Sequence, residues 1–397
     1  MRRLTDFLIV FFCSTICSFA WSAEDIPNVR VGYRDGFYIS TTDNRFSIKI
    51  GGRLNFGYTY GLLDTSDNFS SFDLAHAKLY LGGNAFGPAV QYYIQAGSAS
   101  NTRLFETGPA PESEDGGFRL EDFFVRLIWD STSLKLGQFK TPFGRQWMTY
   151  SGNFEFVDRS IPARFFSLGR DRGVTLNGDK DTFSYTFGIF NGGSTLEPAA
   201  FSTSNPNVSN DASGGAKGHL YLARIMLMPW GSAGYSEGDV EMTEGHKLEF
   251  ASGFVYDDGR DVDFGGDGIV DDPDAPVYSA QGEVVWKSAG KSIQGEFFYR
   301  WLNRSVGRDV NSYGFYIQPG IFLMPNKWEL ATRFGWLDPD LGVLDDLVLE
   351  AAAASNLYFS GDHRYKAQLQ YTWKGQETAP GNQINDHFID LMFQLTI

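Results

Sequence analysis

The sequence predicts an all-β fold, a transmembrane antiparallel β-barrel of about 16 strands, on three observations. The first is strict alternation. In FSIKIGGRLNFGYTY (Phe46–Tyr60) the apolar residues Phe46, Ile48, Ile50, Leu54, Phe56, Tyr58 and Tyr60 share one parity. Ser47, Lys49, Arg53, Asn55 and Thr59 share the other. Period-2 patterning makes an extended strand with two opposed faces, and this one is far longer than the roughly 5–6 residues usual in soluble domains. The second observation is recurrence, with about sixteen such segments along the chain. The third is that long connections take turns with tight ones, the layout of a barrel with short turns at one end and loops at the other. The 45 glycines and 35 phenylalanines are spread throughout the chain, with no linker dividing it.

The elements follow in order. Residues 1–22 read as a signal peptide: Arg2 and Arg3, an apolar stretch from Phe7 to Phe19, then small residues around Ala20 and Ser22. The apolar stretch is shorter than the ~20 residues of a spanning helix. Residues 23–45 form an N-terminal periplasmic or pore-proximal segment, and 46–397 the barrel. The predicted strands are 46–60, 72–83, 88–98, 118–129, 132–139, 171–179, 182–191, 218–228, 245–257, 276–288, 291–302, 311–323, 326–337, 347–360, 363–374 and 385–397. Long loops fall at 61–71, 99–117, 140–170, 192–217, 258–275, 303–310, 338–346 and 375–384; the connection 229–244 is long where a short turn is expected. Trp129, Trp286, Trp301, Trp328, Trp336 and Trp373 sit near strand ends, as an interfacial girdle requires. The outward faces meet outer-membrane lipid, and closure is compulsory because hydrocarbon cannot pair an open edge. The final HFIDLMFQLTI looks like the terminal strand by which such barrels are handed to the barrel-assembly machinery, although it ends in Ile397 where phenylalanine is more typical.

Other chemistry is thin. Both cysteines, Cys13 and Cys17, lie in the signal segment, so disulfides and cysteine–metal sites are excluded from the mature chain. The formal charge of −15 argues against nucleic acid as a partner. There is no HExxH or GxSxG, the five histidines share no ligand spacing, and no cofactor is implied. The GKS within Ala289–Ser292 lacks the upstream glycine of a phosphate loop and reads as a hairpin turn. In DDGRDVDFGGDGIVDDPD (Asp257–Asp274), Asp261, Asp263, Asp267, Asp271 and Asp272 offer the hard oxygen ligands calcium takes. They lack the EF-hand order, and a solvated acidic loop is the stronger reading.

Taking each strand's polar parity as inward, lumen cations outnumber acids about two to one in a chain that is acidic overall. Lys49, Arg53, Lys78, Arg126 and Lys135 head that list, and the segment 140–170 adds Lys140, Arg145, Arg159, Arg164 and Arg170 against Glu155 and Asp158. That segment exceeds the 12–15 residues of an ordinary loop. Lys140, Arg145, Arg159 and Arg164 are the candidates for the narrowest charged region. Neutralisation of these cations by neighbouring carboxylates is the competing expectation.

DGFYISTTDNRFSIKIGGRLNFGY, AHAKLYLGG, LKLGQFKTPFG and EFVDRSIPARFFSLGRDRGVTL resemble the phosphate-selective porin O and P family, most strongly between Asp35 and Asn191. The resemblance implies a passive, multi-pass channel of the Gram-negative outer membrane, usually a homotrimer. It also implies a long third loop folded into the lumen, here 140–170, and cations that bind phosphate or polyphosphate. A general or sugar-admitting porin, and an adhesive or structural closed barrel, stay open as alternatives.

Overall fold

The computed structural model describes residues 28–33, 36–98, 119–192, 207–209, 218–263, 272–379 and 381–397. Among these described residues nineteen strands pair edge to edge, and sixteen of them form the wall. After a hairpin of β1 (Val29–Tyr33) and β2 (Phe37–Thr41) come β3 (Ser47–Leu62), β4 (Phe69–Asn84), β5 (Val90–Ser98), β6 (Arg119–Trp129) and β7 (Thr132–Lys140). Two short helices follow, α1 (Arg145–Met148) and α2 (Ile161–Phe165), then β8 (Arg170–Lys180), β9 (Phe183–Phe190), the brief β10 (Asn207–Ser209) and β11 (Leu220–Leu227). The wall continues through β12 (Lys247–Asp263), β13 (Asp272–Ser288), β14 (Lys291–Leu302), β15 (Val310–Met324), β16 (Trp328–Asp338), β17 (Val348–Tyr358), β18 (Tyr365–Ala379) and β19 (Asn382–Thr396).

The sixteen strands of the wall are β3 to β9 and β11 to β19. Every neighbouring pair is antiparallel, and β19 closes the barrel on β3 from His387 opposite Leu62 to Thr396 opposite Arg53. The closing strand reaches no further than Gly52, whose N–H and C=O both bond Ile397. The remaining edge of β3 is taken by β2, with Phe37 opposite Ile50 and Ser40 opposite Ser47. Of the expected N-terminal segment 23–45, Val29–Tyr33 and Phe37–Thr41 form this antiparallel pair. The signal segment 1–22 lies outside the described residues.

The period-2 pattern is what the wall buries. Along β11, Leu220, Leu222, Arg224 and Met226 are buried while Tyr221, Ile225 and Leu227 are exposed. Outward aromatics pair across strands near the long-loop end, Tyr278 with Trp301 at 5.0 Å and Tyr313 with Trp336 at 4.4 Å, as an interfacial belt would. At the other end the turns are tight. Ala289 and Gly290 both take positive φ, 48° and 77°, the conformation of a two-residue hairpin turn whose twist suits its strands. The GKS is therefore the β13–β14 hairpin.

Three loops are shorter than predicted. β3 runs to Leu62, β13 begins at Asp272 after β12 ends at Asp263, and β18 and β19 leave only 380–381 between them. Beyond the lipid a ladder needs no apolar face, so polar sequence continues the pairing where alternation has stopped. The acidic stretch is accordingly not one loop: Asp261 and Asp263 belong to β12 and Asp272 opens β13, whereas Asp267 and Asp271 lie outside the described residues.

A one-residue slip turns every side chain to the other face, so register is directly testable. In a membrane, Asn177→Cys should react with a small water-soluble thiol reagent and the adjacent Leu176→Cys should not. The opposite pattern, read by mass spectrometry, would invert the wall.

Candidate functional site

The segment 141–169 and the inner faces of β12 to β19 supply each other's hydrogen bonds. Gln146 N–H donates to Glu296 of β14 (2.9 Å), Ile161 N–H to Glu350 of β17 (2.8 Å) and Val157 N–H to Gln370 of β18 (2.7 Å). In return, Lys366 Nζ donates to Phe154 O (2.6 Å), Gln368 and Asn356 to Glu155 O (2.9 and 2.8 Å), and Gln394 to Gly152 O (2.8 Å). Irregular backbone placed out of water must have each polar group paired, and glutamine, asparagine and glutamate at inward positions do that here. Ser160 caps α2 through Ala163 N–H, with Pro162 in the first turn. Phe143 and Phe166 anchor the apolar side, where Phe166 stacks on Phe298 at 5.2 Å.

A second segment meets the first. The connection 229–244 places Glu237 beside Glu155: Glu237 N–H donates to Asn153 O (2.9 Å), and its carboxylate accepts from Glu155 N–H (2.9 Å), Gln146 (2.8 Å) and Gln318 (3.0 Å). Gly238 has φ +65°, a conformation that favours glycine, and a Cβ there would come within 2.4 Å of Glu329 Oε1. Sequence reasoning missed Glu237. The one signal was the unexpected length of its turn.

The predicted cations separate into two groups. Several are neutralised. Lys78 bonds Glu121 at 2.8 Å, and Arg170 bonds Glu121 at 3.1 Å and Asp122 at 3.2 Å. Arg164 bonds Asp158 at 2.6 Å, and Arg145 bonds Glu249 at 2.6 Å with Glu283 at 4.0 Å. Arg145 is 1 % exposed and also donates to Gly234 O, which makes it an anchor between segments rather than a lumen-facing charge. Lys140 donates to the carbonyls of Trp147 (2.9 Å) and Thr149 (3.0 Å), and Arg159 lies over the rings of Trp147 (4.6 Å) and Phe154 (5.0 Å).

Arg53 differs from these. It is 3 % exposed, donates to Ser151 Oγ at 2.7 Å and lies 4.5 Å over the Tyr150 ring. Its Nε and Nη1, and Tyr150 Oη, have no hydrogen-bond partner among the described residues. Lys49 lines a cavity of about 470 Å³ next to Tyr80, Tyr93 and Tyr150. Tyr150 and Tyr93 also border a larger cavity, about 990 Å³, on the side of β5 to β11. Seven basic side chains line the larger one, Lys78, Arg126, Lys135, Lys140, Arg170, Lys180 and Arg224, against four acidic ones. The acid-rich wall is covered by 141–169 and the cation-rich wall is not.

Glu121 was also missed. Opposite Gln95 and Ala96 the β6 register shifts, with Gln95 facing Asp122 and Ala96 facing Leu120. The extra residue of such a bulge breaks alternation, so Glu121 and Asp122 are both buried.

The phosphate-selective porin O and P family model matches residues 48–397. No curated protein matches the chain. Among solved structures, the anion-selective porin from Comamonas acidovorans is similar at TM-score 0.61 and 10% identity, over 88% of this chain and 99% of that one. The outer membrane channel DcaP of Acinetobacter baumannii gives TM-score 0.61 and 12% identity over 91% and 99%. The trimer form of OmpT, an outer membrane protein of Vibrio cholerae, gives 0.53 and 12% over 87% and 98%. These likenesses establish the barrel fold.

Two outcomes follow from the anchors. Arg145→Met leaves Glu249 without its buried cationic partner, whereas Glu283 keeps Arg224 at 2.6 Å, and should cost about 3–5 kcal/mol, read as a lower unfolding temperature in detergent. Burial, then the charges of Glu329 and Glu237, raise the Glu155 carboxyl well above its ordinary 4.5. A raised carboxyl stabilises the fold fully below its unfolded value, and that contribution is lost as pH climbs through the folded one. Glu155→Gln should therefore match the parent in thermal stability near pH 4 and exceed it in alkali; equal loss in both would refute the assignment.

Proposed function

Because the chain belongs to the phosphate-selective porin O and P family, and is an outer-membrane β-barrel channel, we propose that it is a passive channel that prefers anions. The observation that carries this is the unequal division of the inner wall: the segment 141–169 occupies the acidic side, and of the seven cations lining the open cavity Lys78, Arg170 and Arg224 are held by carboxylates while Arg126, Lys135 and Lys180 form no ion pair among the described residues. In this reading 141–169 is the constriction, and solutes pass between it and β4 to β11. A narrow aqueous path with low-dielectric walls focuses the field of its lining, and the sign of that lining selects the permeant ion. Charge outside the barrel counts for little at such a depth, since the screening length is about 8 Å at physiological salt.

Arg53 is the residue best suited to hold an anion in transit. A guanidinium fork binds tetrahedral or planar oxyanions through paired N–H groups, and two of its donors face no protein acceptor among the described residues. The family's description names phosphate, so phosphate is the first anion to try. The trimer form of the OmpT neighbour supports a homotrimer, with membrane lipid around it and the assembly machinery as a transient partner.

Reversal potentials in planar bilayers under a KCl gradient test the reading. Chloride should be the more permeant ion, and phosphate should reduce chloride current. Arg53→Gln should weaken that block several-fold and lower the anion preference. A channel that prefers potassium would overturn the proposal.

A further inference from the structure

The inner wall of a water-filled barrel is ordinarily polar, yet one patch of this wall is aromatic. Tyr93 of β5, Phe124 of β6, Phe139 of β7 and Phe190 of β9 form a continuous row, with ring centroids 5.4, 5.9 and 5.5 Å apart in that order. Three of them, Tyr93, Phe124 and Phe139, border the 990 Å³ cavity. Lys135 sits over the row, its Nζ 3.9 Å from the centroid of both Phe124 and Phe139. Arg126 is its cross-strand neighbour. Asp122, which also lines the cavity, is already bonded to Arg170 at 3.2 Å. Met226 and Met228 also line the cavity.

The two properties of this patch serve no inorganic ion together. A compact, strongly hydrated anion gains from Lys135 and Arg126 but loses its own water against phenylalanine and methionine. A purely apolar solute gains from the rings and leaves the cations without a counter-charge. A flat ring carrying a carboxylate uses both. The carboxylate meets the ammonium and guanidinium, while the ring stacks offset or edge-on against Phe124 and Tyr93 and the thioethers adapt to its other face. The cavity as a whole is richly charged, but its volume lies within the ~300–1,000 Å³ of small-molecule sites, and rings placed beside convergent charges offer an organic ligand both kinds of contact.

We propose that, beside the Arg53 site, the channel holds a second site at Lys135, Arg126, Phe124 and Phe139 for small aromatic carboxylates. The assignment rests on the anion-channel reading above. The site lies between β5–β7 and β11, on the open side of the lumen, so a solute bound there obstructs the path of smaller ions.

Purified full-length protein in planar bilayers provides the test, with benzoate, acetate, phosphate and benzyl alcohol as probes of chloride current. Benzoate should halve the current at a concentration about tenfold lower than acetate or phosphate, and benzyl alcohol should not block. Phe124→Leu, in protein that migrates as a folded barrel, should bring benzoate into line with acetate. Equal block by benzoate and acetate in the parent protein would overturn the aromatic site, and equal block by benzyl alcohol would overturn the role of Lys135. Potassium preference in the KCl gradient would instead overturn the anion reading itself, so the two failures are distinguishable.

Discussion

Hydrocarbon offers no partner to a peptide N–H or C=O, and this constraint organises the whole molecule. Each strand must pair on both sides, which is why β19 returns to β3 and why β2 takes over where Ile397 stops at Gly52. Closure then commits every outward position to lipid and every inward one to a shared, confined space. Sixteen strands enclose more than their side chains alone can fill, so the interior becomes a problem of polar groups to be matched. The inward glutamates, glutamines and arginines of β12 to β19 are matched by backbone: the peptide groups of 141–169 and 229–244 bond them one by one. The irregular segments and the charged wall are each untenable alone. Together they pair many of each other's buried groups, although Gln281, for one, keeps both amide atoms without a partner among the described residues.

The same accounting explains why so many cations contribute no field to the open space. An ion pair such as Arg333–Glu350 at 2.5 Å, which also holds Asp158 O through Arg333 Nη1 at 2.8 Å, is a fastening. Desolvating it is expensive and breaking it more so. In the proposed channel, the charges left to act on a solute would be those with weak or no carboxylate partners, Arg53 and Lys135 foremost. A count of lumen cations therefore overstates the charge available, and pairing decides which of them a passing ion would meet.

The fold was legible because lipid enforces its rule locally. Alternation in 46–60 or 385–397 needs no knowledge of any other strand, and the predicted and observed bounds of most strands differ by one to three residues. The site was less legible, for reasons of register. Which acid faces Lys78 depends on a bulge in β6 that turns Glu121 inward beside Asp122, and no periodicity marks an extra residue. Arg145 read as a pore charge because its partners Glu249 and Glu283 are more than a hundred positions away. Phe124 and Phe139 share the parity of Arg126 and Lys135, but an inventory of inward charge passes over them, since two rings do not alter a net charge. The length of 229–244 was visible as an irregularity. Its meaning, a glutamate carried back to Glu155, was not.

The partition of the interior has a consequence for how such a chain can change over generations. On the proposed reading, the side of the barrel formed by β12 to β19 holds 141–169 in place and is sealed from the solute, and the side the solute meets carries fewer of the bonds to that segment. Substitutions on the first would alter durability with small effect on traffic; substitutions on the second would alter traffic with small effect on durability. A protein divided in this way can take on a new cargo without first becoming fragile. It can also harden against heat or acid without losing the cargo it has.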